Sequence, residues 1–368
     1  MRPQAVMAGL IAAVFLATVT FKADSPALAE TLLQTTPPLN GINIYFTEAQ
    51  DEASRFDRST DGLSRFAGLL QQLGANLFTL EWRTGFPMDA DLIVIAGPRQ
   101  DFSPDQEARL WSYMNNNGRV LMLADAFVTT GRGGGGVLAL NSGIFELMWA
   151  DLGLRARDEV IVTEIVQEIT EPAPDGSEEA PTTTETGTLA ADLITTNIAT
   201  AHPVVNGLAQ GLAFFEARPL EVDASPQRFT ATPLVFTDTR FYGETDYGTF
   251  LNTGEYNFDI GIDLAPGALT LAAALENPDS GVRIVLVGDR EFATNGSGLA
   301  SSPPSSGSFI YPDNVRFLLN AVTWLVDTEA LDPTFATPAP TATATITPSP
   351  TPTNTPTTEP TPTPAEAS

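Results

Sequence analysis

Apolar and polar positions fall along this chain in blocks of strand length and blocks of helical spacing, and the clearest pair lies between Asp89 and Phe127. Ala90 to Ala96 is an apolar run of strand length, closed by Gly97-Pro98. Ser103 then stands at an N-cap, Pro104 suits the first helical position, and Gln106 completes a Ser-x-x-Gln capping box. Leu110, Tyr113 and Met114 recur at helical spacing, and Asn115-Asn116-Asn117-Gly118 supplies residues that tolerate a left-handed backbone and end the helix. Val120 to Ala124 is a second apolar run. Two buried strands joined through a helix are predicted to be parallel, with a right-handed crossover.

The same alternation extends in both directions. Ile42 to Phe46 reads as the first strand, and Glu48 to Arg58 as a charged loop with Ser59 or Thr60 as a helix cap. Leu63, Phe66, Leu69, Leu70 and Leu73 form a helical stripe ended by Gly74, and Asn76 to Leu80 a further strand. Downstream, Ile144 to Leu152 reads as a short helix and Val160 to Ile169 as β-rich. Residues 203–275 mix short β-like runs, such as Phe229 to Phe236, with turns. Val282 to Val287 resumes the buried-strand pattern, and Val315, Leu318, Leu319, Val322 and Leu325 mark a last helical face. Strand–helix alternation with these extra β segments predicts a mostly parallel, doubly wound α/β domain over 41–327.

The two ends of the chain differ from this pattern. In residues 1–29, Arg2, an apolar run from Ala5 to Phe21 and Ala27-Leu28-Ala29 match a signal peptide with its cleavage site. The alternative is an uncleaved N-terminal anchor, since the run is near the lower limit of spanning length. Either way the domain is expected outside the cytoplasm, secreted or attached to the envelope. Residues 30–40 read as a lead-in linker and 171–187 as a disordered acidic insert. Residues 328–368 read as a Thr/Pro-rich extended tail, either a glycosylated stalk or an unmodified terminus.

Composition removes several chemistries. The 368 residues include no cysteine, which excludes disulfides, thiol nucleophiles and cysteine metal sites. A net charge of −27 argues against nucleic acid as a partner. Lys22, inside the leader, is the only lysine, so the domain has no Schiff-base lysine and no phosphate-loop lysine. Arg132 to Gly136 lacks the ending of a phosphate loop and reads as a flexible linker.

Four pieces in order resemble a known family. They are DADLIVIAGP with NNGRVLMLAD, then His202 to Leu208, then Phe215 to Leu220, and last Arg283 to Asn295 with Asn314 to Leu325. Together they resemble the auxiliary domain of gliding-motility-type ABC transport systems, over roughly residues 40–327. The resemblance implies a class I glutamine amidotransferase-like (flavodoxin-like) fold serving as a non-catalytic component, with an ABC permease and ATPase as partners and no cofactor. Members usually carry membrane spans at both ends, whereas this chain has a leader and a Thr/Pro tail.

The candidate residues are few. Amidotransferase chemistry needs a cysteine that is absent, and no Gly-x-Ser-x-Gly elbow offers a serine in its place. His202, the only histidine, precedes Pro203 in what reads as a loop after a strand, and the resemblance implies a turn position where the imidazole bonds locally rather than acting as a general base. Gly97, Arg99, Asp125, Asp289 and Glu291 follow the ends of buried strands, where open α/β sheets bind ligands, and they are the candidate ligand-binding residues. Asp125, Asp289 and Glu291 offer oxygens to a hard cation, but capping of the turns that follow is the better-supported role and no metal site is assigned. Trp111 and Trp324 read as packing residues, and Trp82 beside Arg83 as the tryptophan to test for ligand contact. These observations favour an exported accessory domain that acts by binding. The alternative is a secreted or tethered module that binds carbohydrate or another surface polymer.

Overall fold

The structure, a computed structural model, describes residues 27–126, 128–129, 136–137, 142–171, 182–199, 201–223, 229–303 and 308–327. The expected leader up to residue 26, the glycines before Gly136, the middle of the acidic insert and the Thr/Pro tail lie outside these residues.

In chain order, α1 (Ala27–Thr35) precedes β1 (Asn43–Thr47), α2 (Ser64–Gln72), β2 (Asn76–Leu80) and β3 (Leu92–Ala96). Then come α3 (Pro104–Asn115), β4 (Arg119–Leu123), the two-residue strands β5 (Val128–Thr129) and β6 (Gly136–Val137), and α4 (Ser142–Leu152). The β-rich part follows as β7 (Leu154–Ala156), β8 (Val160–Glu171), β9 (Thr182–Ala190), β10 (Leu193–Thr195), β11 (Leu212–Phe214) and β12 (Leu220–Val222). It continues through β13 (Thr230–Phe236), β14 (Tyr242–Glu244), α5 (Tyr247–Thr253) and β15 (Thr270–Asn277), and the chain closes with β16 (Val282–Val287) and α6 (Pro312–Val326).

The main sheet runs β2-β1-β3-β4-β16-β15-β12-β7, with β13 also paired to β15. From β2 to β16 every pairing is parallel, and from β16 onward every pairing is antiparallel. The order 2-1-3-4 is that of flavodoxin-like sheets, in which the strand order reverses between β1 and β3. Side chains alternate across the parallel strands and both faces are covered. Leu92, Val94, Leu121, Leu123, Val285 and Val287 pack with α2 and α6. Ile93, Ile95, Val120, Met122, Ile284 and Leu286 pack with α3 and α4.

The predicted strand–helix–strand unit is present, with β3 and β4 parallel in the register Ile93↔Val120 to Ala96↔Leu123. Its capping box is complete: the Ser103 N–H donates to Gln106 Oε1 at 2.8 Å and the Gln106 N–H to Ser103 Oγ at 3.4 Å. Asn117 takes a left-handed φ of 64° where the helix stops.

Three segments differ from the sequence reading. Residues 30–40, read as a linker, carry helix through Thr35, and Leu32 is buried in the core. The acidic insert is shorter than 171–187, because Thr182–Ala190 is a strand paired with β8 from Thr163↔Ala190 to Glu171↔Thr182. Its threonines are β-branched and favour a pleated strand, so low hydrophobicity alone misread them. Neither Ser59 nor Thr60 caps α2. The Arg65 N–H in its first turn donates instead to Asn295 Oδ1 at 2.9 Å, from a residue 230 positions away.

Candidate functional site

Beyond the ends of β3, β4 and β16, the five residues singled out from the sequence meet. Gly97 has φ +62°, its N–H donates to Leu123 O at 2.7 Å, and a Cβ there would stand 2.1 Å from Arg290 Cδ. Glycine is therefore required by close approach as well as by backbone conformation. Arg99 Nε donates to Asp125 Oδ2 at 2.8 Å, and its Nη2 lies 3.7 Å from Glu291 Oε1. Arg290 Nη1 approaches the same Glu291 oxygen at 3.5 Å.

Asp289 is fully buried and committed to the backbone: Oδ2 accepts the Phe215 N–H at 2.8 Å and Oδ1 the Phe292 N–H at 3.1 Å. It thus ties the segment after β11 and the turn after β16 to one point. Burial and the neighbouring Glu291 push its carboxyl well above the usual range, and the two N–H groups offset this only in part. Burial, then Asp125, push Glu291 up to about 7 against the opposing pull of Arg290 and Arg99. Among the described residues no group of three or more His, Asp or Glu has the arrangement to hold a metal ion.

The quoted sequence pieces converge here for structural reasons. Arg218, from Phe215 to Leu220, is 2% exposed and donates to Arg157 O, to Asp158 Oδ1 and, at 3.3 Å, to Asp125 O. Its own N–H donates to Gly288 O at 2.6 Å, and a Cβ on Gly288 would stand 2.0 Å from Arg218 O. The last helix clamps the stretch between the second and third pieces. Asp313 Oδ2 accepts the N–H groups of Ala209, Gln210 and Gly211, and Asn314 exchanges bonds with both backbone groups of Ala213. His202 is a turn residue, as expected. Its Nδ1 accepts the Val204 N–H at 3.2 Å and its ring meets Trp324 edge-on at 4.8 Å, while burial and then Arg283 push its pKa down to about 4. It is neutral at neutral pH and its Nδ1 lone pair is occupied.

Sequence reasoning missed a second group at the same end of the sheet, at the order reversal between β1 and β3. Gln50 and Glu52 are both buried just after β1. The Gln50 N–H donates to Glu52 Oε2 at 2.6 Å, and its side chain donates to Gln106 Oε1 at 3.1 Å. Burial pushes the Glu52 carboxyl above its usual range. Beside them is a cavity of about 590 Å³ lined by Glu48, Thr79, Glu81, Trp82, Arg83 and Gln106. Trp82 therefore does border a cavity, packed against Phe86 and Phe102. The loop after β1 covers the reversal point itself: the Arg99 and Gln100 N–H groups donate to Gln50 O, and the Ala53 N–H to Ala96 O. The only sequence signal for this group is its place after a strand, which gains meaning once the strand order is known.

Comparison with known proteins gives one family. The model of a family described as ABC-type uncharacterized transport system matches residues 43–321. Among curated proteins no sequence matches. Among solved structures the chain is similar to the mmIFT52 N-terminal domain, at 13% identity and a TM-score of 0.48, covering 77% of this chain and 97% of that one. It is also similar to a putative ThuA-like protein from Bacteroides uniformis, at 12% identity and a TM-score of 0.37, covering 78% and 92% of the two chains.

Proposed function

This chain belongs to the ABC-type uncharacterized transport system family, and from that premise we propose that it is a non-enzymatic accessory domain of an ABC-type transport assembly in the cell envelope. The observation that carries the reading is the family match across 43–321, nearly the whole span from β1 to α6. The use made of the polar residues supports it. Asp289, Asp313, Asn314 and Arg218 are buried and bonded to backbone groups, which suits a rigid binding scaffold. The only histidine is held in a turn, and a triad needs nucleophile, base and orienter together. The signal-peptide pattern of residues 1–29 supports placing the domain outside the cytoplasm in this proposal, where it meets the permease and, through it, the ATPase.

The test is affinity capture of the full chain from solubilised membranes of its own cells after mild crosslinking. Recovery of an ABC permease together with an ATPase is the expected result. Intact protein that brings down no transport component sinks the reading, as does hydrolytic turnover that is lost in His202→Ala.

A further inference from the structure

On the α2 side of the sheet lies a cavity of about 740 Å³. That is within the roughly 300–1,000 Å³ of small-molecule sites. Arg55, Arg58 and Arg65 all line it, three of the 18 cationic side chains in a chain of net charge −27, and among the described residues no acid lines it. Phe56, 64% exposed, adds an aromatic face with the Arg55 guanidinium stacked 3.8 Å from its ring centre. Ala67 and Gly68 of α2 leave the floor open.

These arginines are short of counter-charge. Arg55 reaches Glu48 only at 3.9 Å, gives one bond to Thr79 Oγ1, and has a buried Nε without a hydrogen-bond partner. Arg65 gives one N–H to Leu299 O at 2.6 Å, and Arg58 makes no ion pair among the described residues. The nearest acids in sequence are occupied. Asp57 accepts from the Ser59 N–H and Oγ at 2.7 Å each, and Asp61 accepts from Thr60. Burial lowers the pKa of both Arg55 and Arg65, the direction expected when guanidinium groups are desolvated without a full partner. Ser64 Oγ accepts from Asn295, which leaves its own hydrogen to donate into the cavity.

We propose that this cleft binds a phosphate monoester carried on an apolar body, the phosphate on Arg55, Arg58 and Arg65 and the body against Phe56. Three guanidinium groups suit a group that carries about −1.5 to −2 charge and three acceptor oxygens at neutral pH, and Arg pairs with such oxygens two at a time. A soluble organic phosphate and the headgroup of phosphatidic acid present the same chemistry. The site stands on different residues from the strand-end cluster and does not depend on the accessory role.

The test titrates the full chain with phenyl phosphate, inorganic phosphate and phenol, and in parallel sediments it with vesicles of phosphatidic acid in phosphatidylcholine or of phosphatidylcholine alone. Binding of phenyl phosphate above phenol, weakened by salt, supports the proposal and assigns a soluble ligand. Sedimentation with phosphatidic acid vesicles alone supports it and assigns the lipid. Arg58→Gln is expected to weaken the responding probe about tenfold, the loss of one charge-assisted contact. Phe56→Ala is expected to weaken phenyl phosphate and leave inorganic phosphate unchanged. Arg58 is exposed and makes no ion pair among the described residues, so its variant folds even if Arg65→Gln, which loses the Leu299 contact, does not. No response to either phosphate probe, or unchanged affinity in Arg58→Gln, overturns the proposal.

Discussion

Replacing Asp313 with alanine is expected to destabilise the domain by ~3 kcal/mol. The carboxylate sits in the first turn of α6, 4% exposed, and one oxygen accepts the N–H groups of Ala209, Gln210 and Gly211 at 2.8, 2.6 and 2.9 Å. A hydrogen bond to a charged group contributes about 1.5–3 kcal/mol net, but three bonds to one oxygen are not additive. Ala209 and Gln210 are exposed, so water replaces the carboxylate for their donors once it is gone. Gly211 is buried, and its stranded donor together with the lost anion at a helix N-terminus accounts for most of the cost. At about 2–4 °C per kcal/mol for a domain of this size, the melting temperature should fall by ~6–12 °C. Asp313→Asn keeps an acceptor without the charge and should lose about half as much. Calorimetric melting of both variants measures this, with hydrogen exchange at 209–213 as the local readout. An alanine variant that melts within about a degree of the parent, or an asparagine variant that costs as much as alanine, would refute the reasoning.

Asn295→Ala should cost about 2 kcal/mol by removing the cap of α2 and the bonds to Asp57 O and Ser59 O, read as a lower denaturation midpoint with unchanged slope. Gly288→Ala and Gly97→Ala should each lower the melting temperature, because the added methyl meets the backbone oxygen of Arg218 in the first case and, at a positive φ, the buried Arg290 side chain from Cβ to Cδ in the second. Glu291→Gln should raise stability at pH 8 and converge on the parent below pH 5. The folded-state pKa of Glu291 is about 7 against an ordinary 4.5, so between those values the folded state holds a proton that the unfolded state has released. Stability therefore falls as pH rises through that window, and the variant escapes the fall. A gap that widens toward acid would contradict this assignment.

The sequence was most legible where local rules suffice. Ser103, Pro104, Gln106 and Asn117 predict both ends of α3, because caps and left-handed stops are set by neighbours in the chain. The apolar runs read at Ala90 to Ala96 and Val120 to Ala124 contain the buried strands Leu92–Ala96 and Arg119–Leu123, and their continuous apolar character marks a sheet covered on both faces. What stayed hidden depends on distant residues. Asn295 caps a helix that begins at Ser64, and no local signal links them. The strands β8 and β9 are long because they pair with each other, and threonine in Thr182–Ala190 looks the same in a paired strand as in a disordered insert. Of the site, the gathering of Gly97, Arg99, Asp125, Asp289 and Glu291 followed from a rule about strand ends. The importance of Gln50 and Glu52 did not, because it rests on strand order, which periodicity does not encode.

The loop that lies over the β1/β3 reversal sets the terms on which that end of the sheet meets a partner. Three backbone hydrogen bonds hold it down, two to Gln50 O and one to Ala96 O. Gln50, Glu52 and Ala53 within it are buried as well, so opening it costs more than the three hydrogen bonds alone. A partner that needs the strand ends bare binds with its affinity reduced by the fraction of molecules whose loop is open. A mutation that loosens the loop would then tighten binding without touching the binder, and a bound partner would be felt as a stiffer or freer segment from Glu48 to Arg58.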